Sequence, residues 1–577
     1  MNVLLLATAF NGLTQKVWLD LRRCGHEVTV ELALSQVAMR EAAVLVDPDV
    51  IICPFLRERV PAAVWQHWPT IVVHPGPAGD RGPSSLDWAV AEGHAEWGVT
   101  ALSAVEELDT GDVWSTRTFR LPAGIPRKSA LYSGPVADAA VEVVRETVAR
   151  IADLGFRPGS QHLDRRSRSA RPLMRQADRS FGWDDDAERV LRAVRAADGA
   201  PGVRTQLCGR PVRAFDAHPG APVTSGRPGT VAARRHGAVL VRTGDGNGIW
   251  LGHLRPEDLG TPIKLPAATV LGEAALAGVP FELADDGRPT YPEIAYRRDG
   301  AVGTLTVDLY NGAMSASQGA RVAAALRHAI AQDTRVLVFR GGDVFGNGIA
   351  LNVVEAAADP AAESWRSILA INEVSRLLVT CTTQLVVAAV AGDAGAGGAM
   401  LALGADQVLV RAGVALNPHY LGLGLHGSEY WTYTLPRRVG AAEAERLTRD
   451  CLPIGGPEAV SLGFADRVLG GDAAGFHDEV AEQAASLAGR HDLPQLLAAK
   501  RLQLEADERR RPLEAYVAEE LGEMSRDFFD DRLGYAAARR AFVTKRKPAG
   551  TPARLAPHRR VVPAPRSVSD RLVLVTP

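Results

Sequence analysis

The sequence predicts an α/β protein in which an N-terminal doubly wound sheet is followed by a small β-barrel and by a second α/β domain with a helical end. Three observations predict this class. Short apolar runs alternate with helical stretches through residues 1–165, which is the pattern of a parallel sheet covered by helices. Runs of β-type residues punctuated by glycine and proline come next, as a small barrel requires. A second alternation of strands and helices begins near residue 291.

The composition is that of a globular protein, and we expect a cytoplasmic one. The 577 residues are 46% hydrophobic and 23% charged, which are ordinary proportions, and the length favours roughly four domains. A net charge of −2 argues against nucleic-acid binding. No basic leader and no apolar run of the roughly 20 residues that cross a bilayer is visible, so no membrane association is expected. The five cysteines are scattered and predict neither a disulfide framework nor a metal site.

The N-terminal domain is predicted over residues 1–165. Helical patterns lie between its strands, and a longer one from Ser129 to Leu154 closes the domain. The predicted strands are Val3–Leu6, His26–Glu31, Val50–Cys53 and Thr70–Val73. A polar, arginine-rich stretch at 157–175 is interpreted as a linker.

The middle domain is predicted over residues 176–265. It begins with an amphipathic helix at Asp185–Ala196 and continues as short β-type runs. These runs are Val212–Ala217, Gly229–Ala232, Val239–Arg242 and Ile249–Leu254. Proline and glycine interrupt regular structure at Thr261–Ala274, so the parts of the chain on either side are expected to be separable.

The third domain is predicted over residues 275–546, with a helical end from Asp472 onward. Its first elements are a strand at Ala301–Leu309, a helix at Ser317–Gln332 and strands at Arg335–Arg340 and Gln384–Val390. A tail rich in proline and arginine, 547–577, is expected to be partly disordered.

A histidine and an aspartate are the first candidates for catalysis. The apolar run Ile71–Val73 ends in His74, which is followed by proline and glycine, and Asp109 lies in a later Leu-Asp-Thr-Gly-Asp segment. Ligands of open α/β sheets bind at the carboxyl ends of the strands. An imidazole and a carboxylate that meet there form a proton-transfer pair. From spacing alone, a strand cap at His74 and a turn at Asp109 are equally consistent.

The surrounding residues resemble the formyltransferase superfamily, whose signature is a strand-end Asn-x-His and a later Leu-Asp-x-Gly. His74 and Asp109 fall on the family's catalytic pair, but Val72 replaces its asparagine, which helps to hold the formyl oxygen. Either another donor serves or the acceptor differs from the family's usual amines. The segment Arg195–Gly202 is similar to the start of the family's C-terminal domain. The resemblance implies 10-formyltetrahydrofolate as the one-carbon donor. It also implies the substrate contacts Phe55, Leu56, Ser84 and Ser85.

Two later strands each end in a glycine-rich loop that opens a helix. The loops are Gly341–Ile349 and Ala391–Met400. Such loops present backbone N–H groups that hold an oxyanion, although close packing alone also favours glycine. The pair resembles the loops of the crotonase (enoyl-CoA hydratase/isomerase) superfamily. That resemblance implies that the amides of Ile349 and Gly397 form an oxyanion hole for a thioester carbonyl.

The crotonase resemblance breaks at the two glutamates with which hydratases activate water. Met400 stands at the first position, and the second falls at His419 or Tyr420, so addition of water to a double bond is not expected. Tyr420 and Glu429 are instead the candidate acid and base, with their two roles left open. Glu429 lies in the aromatic run Gly-Ser-Glu-Tyr-Trp-Thr-Tyr, where burial would raise its pKa.

The order of the domains, with the runs His-Pro-Gly-Pro and Gly-Ser-Glu-Tyr-Trp-Thr-Tyr, closely resembles the HypX/HoxX family of NiFe-hydrogenase maturation proteins. This resemblance implies synthesis of the carbon monoxide ligand of the hydrogenase iron. A formyl group would pass from 10-formyltetrahydrofolate to coenzyme A, and formyl-CoA would then lose CO. It also implies small-molecule substrates and other hydrogenase maturation proteins as partners. Two alternatives stay open: hydrolysis of the formyl group to formate, and a non-catalytic scaffold that carries a formyl or CO ligand.

Overall fold

A computed structural model describes residues 1–160, 169–258, 262–282 and 287–560, and it contains three large sheets. The first sheet and its helices extend to residue 152. The second sheet forms the middle domain, and the third belongs to a larger domain that begins near residue 294. The predicted fold class is confirmed.

The first domain is a six-stranded sheet with helices on both faces. Its strands are β1 (Asn2–Ala7), β2 (Glu27–Leu32), β3 (Val50–Cys53), β4 (Thr70–His74), β6 (Glu96–Ser103) and β7 (Val113–Arg120), while β5 (Asp80–Arg81) lies outside the sheet. Its helices are α1 (Gly12–Arg23), α2 (Gln36–Val46), α3 (Ala62–Trp65), α4 (Ser85–Ala91), α5 (Lys128–Ser133) and α6 (Pro135–Ala152).

Alternation of apolar residues along β1 explains why this sheet is covered on both faces. Val3 and Leu5 belong to a core cluster shared with α1 and α6, whereas Leu4 and Leu6 belong to a second cluster with residues of α2 and α3. Successive side chains of a strand point to opposite faces, so an uninterrupted apolar run requires a helical layer on each side.

The sheet departs from the predicted all-parallel arrangement at one edge. Its order is β2-β1-β3-β4-β6-β7, in which β4 pairs with β6 and β6 with β7 in the antiparallel sense. Strand β7 escaped the sequence prediction because Arg117, Thr118 and Arg120 are exposed and interrupt any apolar run. Asp109 lies in the loop that joins β6 and β7.

The middle domain is an antiparallel sheet with the order β11-β12-β13-β10-β9. Its elements are α7 (Ala187–Ala196), β9 (Val203–Leu207), β10 (Arg210–Gly220), β11 (Val231–Arg235), β12 (Ala238–Arg242), β13 (Gly248–Pro256), β14 (Leu265–Pro266) and α8 (Ala267–Leu271). No hydrogen-bonded pair joins β9 to β11 among the described residues, so the predicted barrel is open on one side. Val190 and Val194 of α7 complete its core.

The predicted linker at 157–175 contributes one short strand. Residues 161–168 lie outside the described residues. Directly after them β8 (Ser169–Ala170) pairs in parallel with β5, which follows His74 in the chain. The end of the linker is therefore attached beside the first candidate site.

The third domain contains a six-stranded sheet in the order β15-β16-β17-β18-β20-β23 and a small sheet of β19, β21 and β22. The strands are β15 (Ile294–Asp299), β16 (Val302–Val307), β17 (Val336–Gly341), β18 (Leu385–Val390), β19 (Ala394–Gly395), β20 (Gln407–Arg411), β21 (Ala415–Asn417), β22 (Ile454–Gly455) and β23 (Arg467–Leu469). The helices before the helical end are α9 (Ala316–Ile330), α10 (Leu351–Ala356), α11 (Pro360–Val379), α12 (Gly397–Leu401), α13 (Trp431–Val439), α14 (Ala441–Asp450) and α15 (Gly456–Ser461).

The chain then forms the predicted helical end. Its helices are α16 (Ala473–Ala488), α17 (Leu493–Arg510), α18 (Leu513–Phe529) and α19 (Tyr535–Val543). Met524 and Phe528 of α18 and Tyr535 of α19 belong to the core of the third domain. These helices are therefore part of the globular unit, and α18 packs beside α11 and α13.

Residues 547–560, called here the C-terminal segment, return to the first domain. The carbonyl of Leu555 accepts a hydrogen bond of 3.0 Å from the amide of Val30, and Thr551 Oγ accepts one of 2.9 Å from Leu32. Buried Glu31 accepts hydrogen bonds from Thr551, His558 and Arg559. The C-terminal segment therefore covers the edge strand β2, and the partial disorder expected for the tail stays a prediction because residues 561–577 lie outside the described part.

Two candidate active sites

The first candidate site lies at the carboxyl end of β4, where His74 faces two carboxylates. Its Nε2 atom is 2.8 Å from Oδ2 of Asp80, and its Nδ1 atom is 3.6 Å from Oδ1 of Asp109. His74 and Asp80 are both buried. Carboxylates on either side of an imidazole orient the ring and stabilise its protonated form, as proton transfer at this position requires.

The loop between β6 and β7 brings Asp109 to the histidine. Asp109 has a φ of 59°, a left-handed conformation that aspartate tolerates better than most residues. Its Oδ2 atom accepts a hydrogen bond of 3.1 Å from the amide of Gly82. Gly111 approaches the carbonyl of Ser103 so closely that a Cβ atom would collide with it. The aspartate and the glycine of the Leu-Asp-Thr-Gly run therefore each meet a backbone requirement of this turn.

Asp80 is a residue of this site that the sequence analysis did not single out. It contacts the ring nitrogen of His74 that faces away from Asp109. A Cβ atom on Gly76 would collide with both the Asp80 carboxylate and the His74 ring, so the backbone must pass close to this pair. The available signal was an acidic residue between glycine and arginine directly after the strand end.

Val72 lies on the same face of β4 as His74, because the two residues are two positions apart. It packs against a core cluster that also includes Leu56 and Trp68. The position where formyltransferases carry asparagine therefore offers no polar atom in this chain.

Of the four predicted substrate contacts, Ser84 and Ser85 are engaged in hydrogen bonds within the protein. Ser85 Oγ donates a hydrogen bond of 2.7 Å to the carbonyl of Pro75, and Ser84 Oγ accepts one of 3.1 Å from the amide of Met174. The ring of Phe55 meets Tyr132 edge-on at 6.0 Å. The two serines thus hold the loop after His74 in place, and substrate contact by Phe55, Leu56, Ser84 and Ser85 stays a prediction.

The second candidate site is formed where the two glycine-rich loops of the third domain meet. The amide of Gly395 donates 2.9 Å to the carbonyl of Gly346, which joins the loops directly. The amide nitrogen of Gly397 lies 3.4 Å from where a Cβ atom of Gly348 would be. The N–H groups of Ile349 and Gly397 have no hydrogen-bond acceptor within the described residues. Two adjacent unpaired amides are the arrangement that an oxyanion hole needs.

Glu429 lies directly against the backbone of Gly397 and is hydrogen-bonded to Tyr420. The hydroxyl of Tyr420 donates a 2.6 Å hydrogen bond to Oε2 of Glu429, and the amide of Ser428 donates to the same oxygen at 3.1 Å. A Cβ atom on Gly397 would collide with Oε1 of Glu429. Oε1 forms no hydrogen bond with any described residue, so one carboxylate oxygen is free beside the predicted oxyanion hole.

Burial sets the protonation of this pair. Burial raises the pKa of Glu429 to about 7, against the effect of the Tyr420 hydrogen bond and with the help of the nearby carboxylate Glu520. Burial and the charge of Glu429 raise the pKa of Tyr420 well above its ordinary value. Near neutral pH, Tyr420 is therefore a hydrogen-bond donor, and Glu429 is able to take up or release a proton.

The positions of the hydratase glutamates contain no carboxylate. Met400 is completely buried in the core of the third domain. His419 is held by the carbonyl of Asn417, which is 2.9 Å from its Nδ1 atom, and burial lowers its pKa. His419 lies near Gly395 of the second loop, and among the described residues its side chain is hydrogen-bonded to Asn417 and not to Glu429. Neither hydratase position therefore supplies a carboxylate, and Glu429 is the carboxylate that the described residues place against Gly397.

Comparison with known proteins decides the family. A curated hydrogenase maturation factor HoxX from Bradyrhizobium diazoefficiens is 44% identical over 568 residues, which is 97% of this chain and 97% of that protein. The chain belongs to the HypX/HoxX family of hydrogenase maturation factors. A crystal structure of HypX from Aquifex aeolicus in complex with tetrahydrofolic acid is 38% identical, with a TM-score of 0.93, and the match covers 97% of this chain and 99% of that one.

Domain matches agree with the HypX/HoxX assignment. The enoyl-CoA hydratase/isomerase family model matches residues 306–550, and the model of the formyl transferase C-terminal domain matches residues 173–261. A methionyl-tRNA formyltransferase from Anaeromyxobacter dehalogenans is 29% identical over 171 residues, which are 29% of this chain and 54% of that protein. The chain is thus a hydrogenase maturation factor that combines formyltransferase and crotonase-like domains.

In this HypX/HoxX chain the first and third domains are in contact between the two sites. Lys16 of α1, whose side chain is buried, pairs with Asp393 at 3.2 Å between Nζ and Oδ1. Asp393 begins the second oxyanion loop, and its Oδ1 also accepts 3.0 Å from the amide of Ala415. Gln15 accepts a hydrogen bond of 3.3 Å from Asn417. Helix α1 therefore supports the loop that carries Gly397.

The described residues contain neither a candidate metal cluster nor a candidate membrane-spanning helix. No cluster of three or more histidine, cysteine, aspartate or glutamate side chains is placed to hold a metal ion there. Among the same residues, no helix has the length and apolar character needed to cross a membrane.

Proposed function

We propose that this chain makes the carbon monoxide ligand of the hydrogenase iron from 10-formyltetrahydrofolate and coenzyme A. The observation that carries the proposal is the free Oε1 atom of Glu429 against Gly397, whose unpaired amide lies beside the loop that carries Ile349. It supports proton removal from a thioester whose carbonyl oxygen is held by the two amides. The tetrahydrofolic acid bound to HypX of Aquifex aeolicus supports a folate as the donor.

In the first step the formyl group moves from the folate to the thiol. The sulfur attacks the formyl carbon, the bond from that carbon to N10 breaks, and the thiol proton ends on N10. His74 transfers this proton, and Asp80 and Asp109 stabilise the ring when it is charged. The products are tetrahydrofolate and formyl-CoA, so the step needs no oxidant or reductant.

In the second step formyl-CoA loses CO. Oε1 of Glu429 takes the formyl proton, and the electron pair of the C–H bond becomes the carbon lone pair of CO. The C–S bond breaks with its electrons on sulfur, and the thiolate recovers the proton. The Tyr420 hydroxyl, donating to Oε2, holds the carboxylate in orientation and leaves Oε1 to act. Proton acceptance therefore belongs to Glu429, whose pKa of about 7 suits it.

Hydrolysis to formate is the second candidate, and the buried Met400 argues against it. A hydrolase must activate water, and the hydratase position that would do so is apolar here. A scaffold without activity would not need the His74 pair or a carboxylate of raised pKa in a second cleft.

The test is incubation of the purified full-length protein with 10-formyltetrahydrofolate and coenzyme A. A reduced haem protein traps CO and reports it by absorbance, while formate and tetrahydrofolate are measured in parallel. We expect CO and tetrahydrofolate in equal amounts, with CO formation dependent on coenzyme A. Formate in place of CO would establish the hydrolase, and the absence of any folate turnover would establish the scaffold.

A further inference from the structure

The segment 426–432, which carries Glu429, is fastened to helix α18. Three side chains on one face of α18 accept hydrogen bonds from the backbone amides of the segment 426–432. Asp527 accepts from His426 at 2.7 Å, Met524 Sδ accepts from Gly427 at 3.2 Å, and Glu520 accepts from Tyr430 at 3.0 Å and Thr432 at 2.8 Å. Residues three and four positions apart share a helix face, so α18 grips the segment at several points.

Glu520 accepts most of the hydrogen bonds that attach the segment to α18. It is completely buried, and its two oxygens accept hydrogen bonds from the amides of Tyr430 and Thr432 and from the hydroxyls of Ser428 and Thr432. The two amides can only donate, and each hydroxyl has one proton to donate, which Ser428 Oγ can direct to Glu520 or to Asn372 Oδ1. An ionised carboxylate offers acceptors only, so it matches the set, whereas an amide side chain would turn its own N–H groups toward other donors.

The hydrogen bonds from the segment to α18 are needed because the backbone at Glu429 is strained. Glu429 and Tyr430 have φ values of 66° and 59°, a left-handed conformation that is unfavourable for residues other than glycine. Such residues persist only where the surroundings fix them. Asn372 Oδ1 accepts 2.9 Å from the amide of Glu429 on one side, and Glu520 holds the following residues on the other.

We propose that Glu520 is a positioning residue of the second site, whose carboxylate fixes residues 428–432 and thereby holds Oε1 of Glu429 against the second oxyanion loop. The inference rests on the proposed function. Glu520 acts through Glu429 and contributes no group to the substrate.

Glu520 also influences the protonation of Glu429. The groups that face the Glu429 carboxyl are the Tyr420 hydroxyl, the Ser428 amide, the Gly397 backbone and, across the segment, the Glu520 charge. Burial raises the pKa of Glu520 even though the hydrogen bonds from Thr432, Ser428 and Tyr430 oppose it, and where this carboxyl is ionised its negative charge favours the protonated form of Glu429. Removal of that charge should therefore lower the pH at which Glu429 ionises.

The test is Glu520→Gln in the full-length protein, with formyl-CoA supplied and CO trapped by a reduced haem protein. We expect CO release to fall about 100-fold, the loss that displacement of a reacting group by about 1 Å produces. The limb of the pH profile that belongs to Glu429 should move to lower pH by about half a unit or more. Consumption of 10-formyltetrahydrofolate should remain within about twofold of wild type.

Glu519→Gln is the matched control, because Glu519 is the neighbouring acid on α18, and its side chain is 61% exposed. We expect it to leave CO release and its pH profile unchanged. Thr432→Val removes a single hydroxyl donor to Glu520 and serves if Glu520→Gln does not fold, with an expected three- to tenfold loss of CO release.

The proposal is overturned if Glu520→Gln releases CO within about threefold of wild type, or if its rate falls while the pH limb stays in place. A wild-type rate for Thr432→Val in a folded protein would also overturn it. Failure of the wild-type protein itself to release CO from formyl-CoA is a different result, since it refutes the proposed function from which the inference begins.

Discussion

Single side chains define the two sites, and the first prediction concerns the histidine with its two carboxylates. His74→Ala and Asp109→Asn should each reduce deformylation of 10-formyltetrahydrofolate by about 10²- to 10⁴-fold, because the proton-transfer group or its charge partner is lost. Asp80→Asn should act in the same direction through the 2.8 Å contact with Nε2. The measurement is tetrahydrofolate formation.

The control for these variants is Asp112→Asn, an exposed acid in the same loop as Asp109. It should keep the wild-type rate. A variant of His74 or Asp109 that retained more than about a tenth of the wild-type turnover would contradict the assigned role, since acid–base groups contribute at least 10²-fold in most enzymes.

Glu429 and Tyr420 give the second prediction at this scale. Glu429→Gln and Tyr420→Phe should block CO release and spare folate consumption, so that formyl-CoA accumulates and is detected by chromatography. In the wild-type protein the rate of CO release should rise with pH through about 7, because burial raises the pKa of Glu429 to about 7 and the ionised form accepts the proton. A rate that fell with pH over this range would reverse the assigned role.

The sequence reached most of these residues through local patterns, and it missed those that act across the fold. His74, Asp109, Ile349 and Gly397 lie in short motifs at strand ends, where a strand followed by a sharp turn is readable. Asp80 was not identified because its contact with His74 depends on the orientation of the imidazole ring, which the sequence does not reveal. Glu520 lies about ninety positions from the segment it holds, and an acidic residue on an amphipathic helix gives no sign of burial.

At the scale of elements, the second oxyanion loop must pass very close to Glu429, and this gives the third prediction. Gly397→Ala should reduce CO release by about 10- to 100-fold, because the new Cβ atom collides with the Glu429 carboxylate and displaces it. Folate consumption should not change. The two rates are measured on the same preparation.

Gly522→Ala is the matched control for that substitution. A Cβ atom on Gly522 in α18 meets no other atom within 4 Å, and alanine in a helix is favoured over glycine by about 0.5–1 kcal/mol. This variant should keep both activities and melt at the same or a higher temperature. Equal losses in the two glycine variants would show that the effect is not local to the site.

Element prediction worked best where a strand is buried on both faces. Strands β1, β3, β4, β17 and β18 are continuous apolar runs, and the sequence located them closely. Strands β6 and β7 form a hairpin whose register is fixed by pairing with β4, a non-local property. The same holds for the open edge of the middle sheet, where α7 supplies the core that strand closure would have supplied.

At the scale of the whole molecule, the C-terminal segment decides whether the halves are separable, which is the fourth prediction. Removal of residues 547–577 should destabilise the first domain by about 3 kcal/mol, because buried Glu31 loses its partners His558 and Arg559. Leu555 also leaves the core. Thermal unfolding followed by residual folate turnover measures the effect.

A chain that ends at residue 560 keeps every described contact of the segment and is the control. For the same reason a fragment of residues 1–265, expected from the sequence to be active, should turn over the folate only at reduced temperature. If the chain without residues 547–577 and the fragment of residues 1–265 were both as stable as the full chain, the contacts at β2 would contribute nothing to the stability of the first domain.

The attachment of the segment should also depend on pH. Burial alone would raise the pKa of Glu31, but hydrogen bonds from His558, Arg559 and Thr551 outweigh it and hold the pKa below its ordinary value. A carboxylate with a lowered pKa stabilises the fold above its unfolded pKa, and that contribution is lost as the pH falls through the folded value. Acid unfolding of the full chain should therefore begin with release of the segment, which proteolysis at this end would detect.

Because β2 is covered by residues 547–560, the first domain is completed only after the middle and third domains have been translated. Ribosomes add about 5–20 residues per second, so roughly 20 to 80 seconds separate emergence of the first sheet from synthesis of its cover. During that interval the edge of β2 is open to pairing with other strands. We expect nascent chains stalled before residue 547 to bind chaperones and to be cleaved near Glu31, and chains stalled well beyond residue 560 to resist; equal cleavage of both would contradict this.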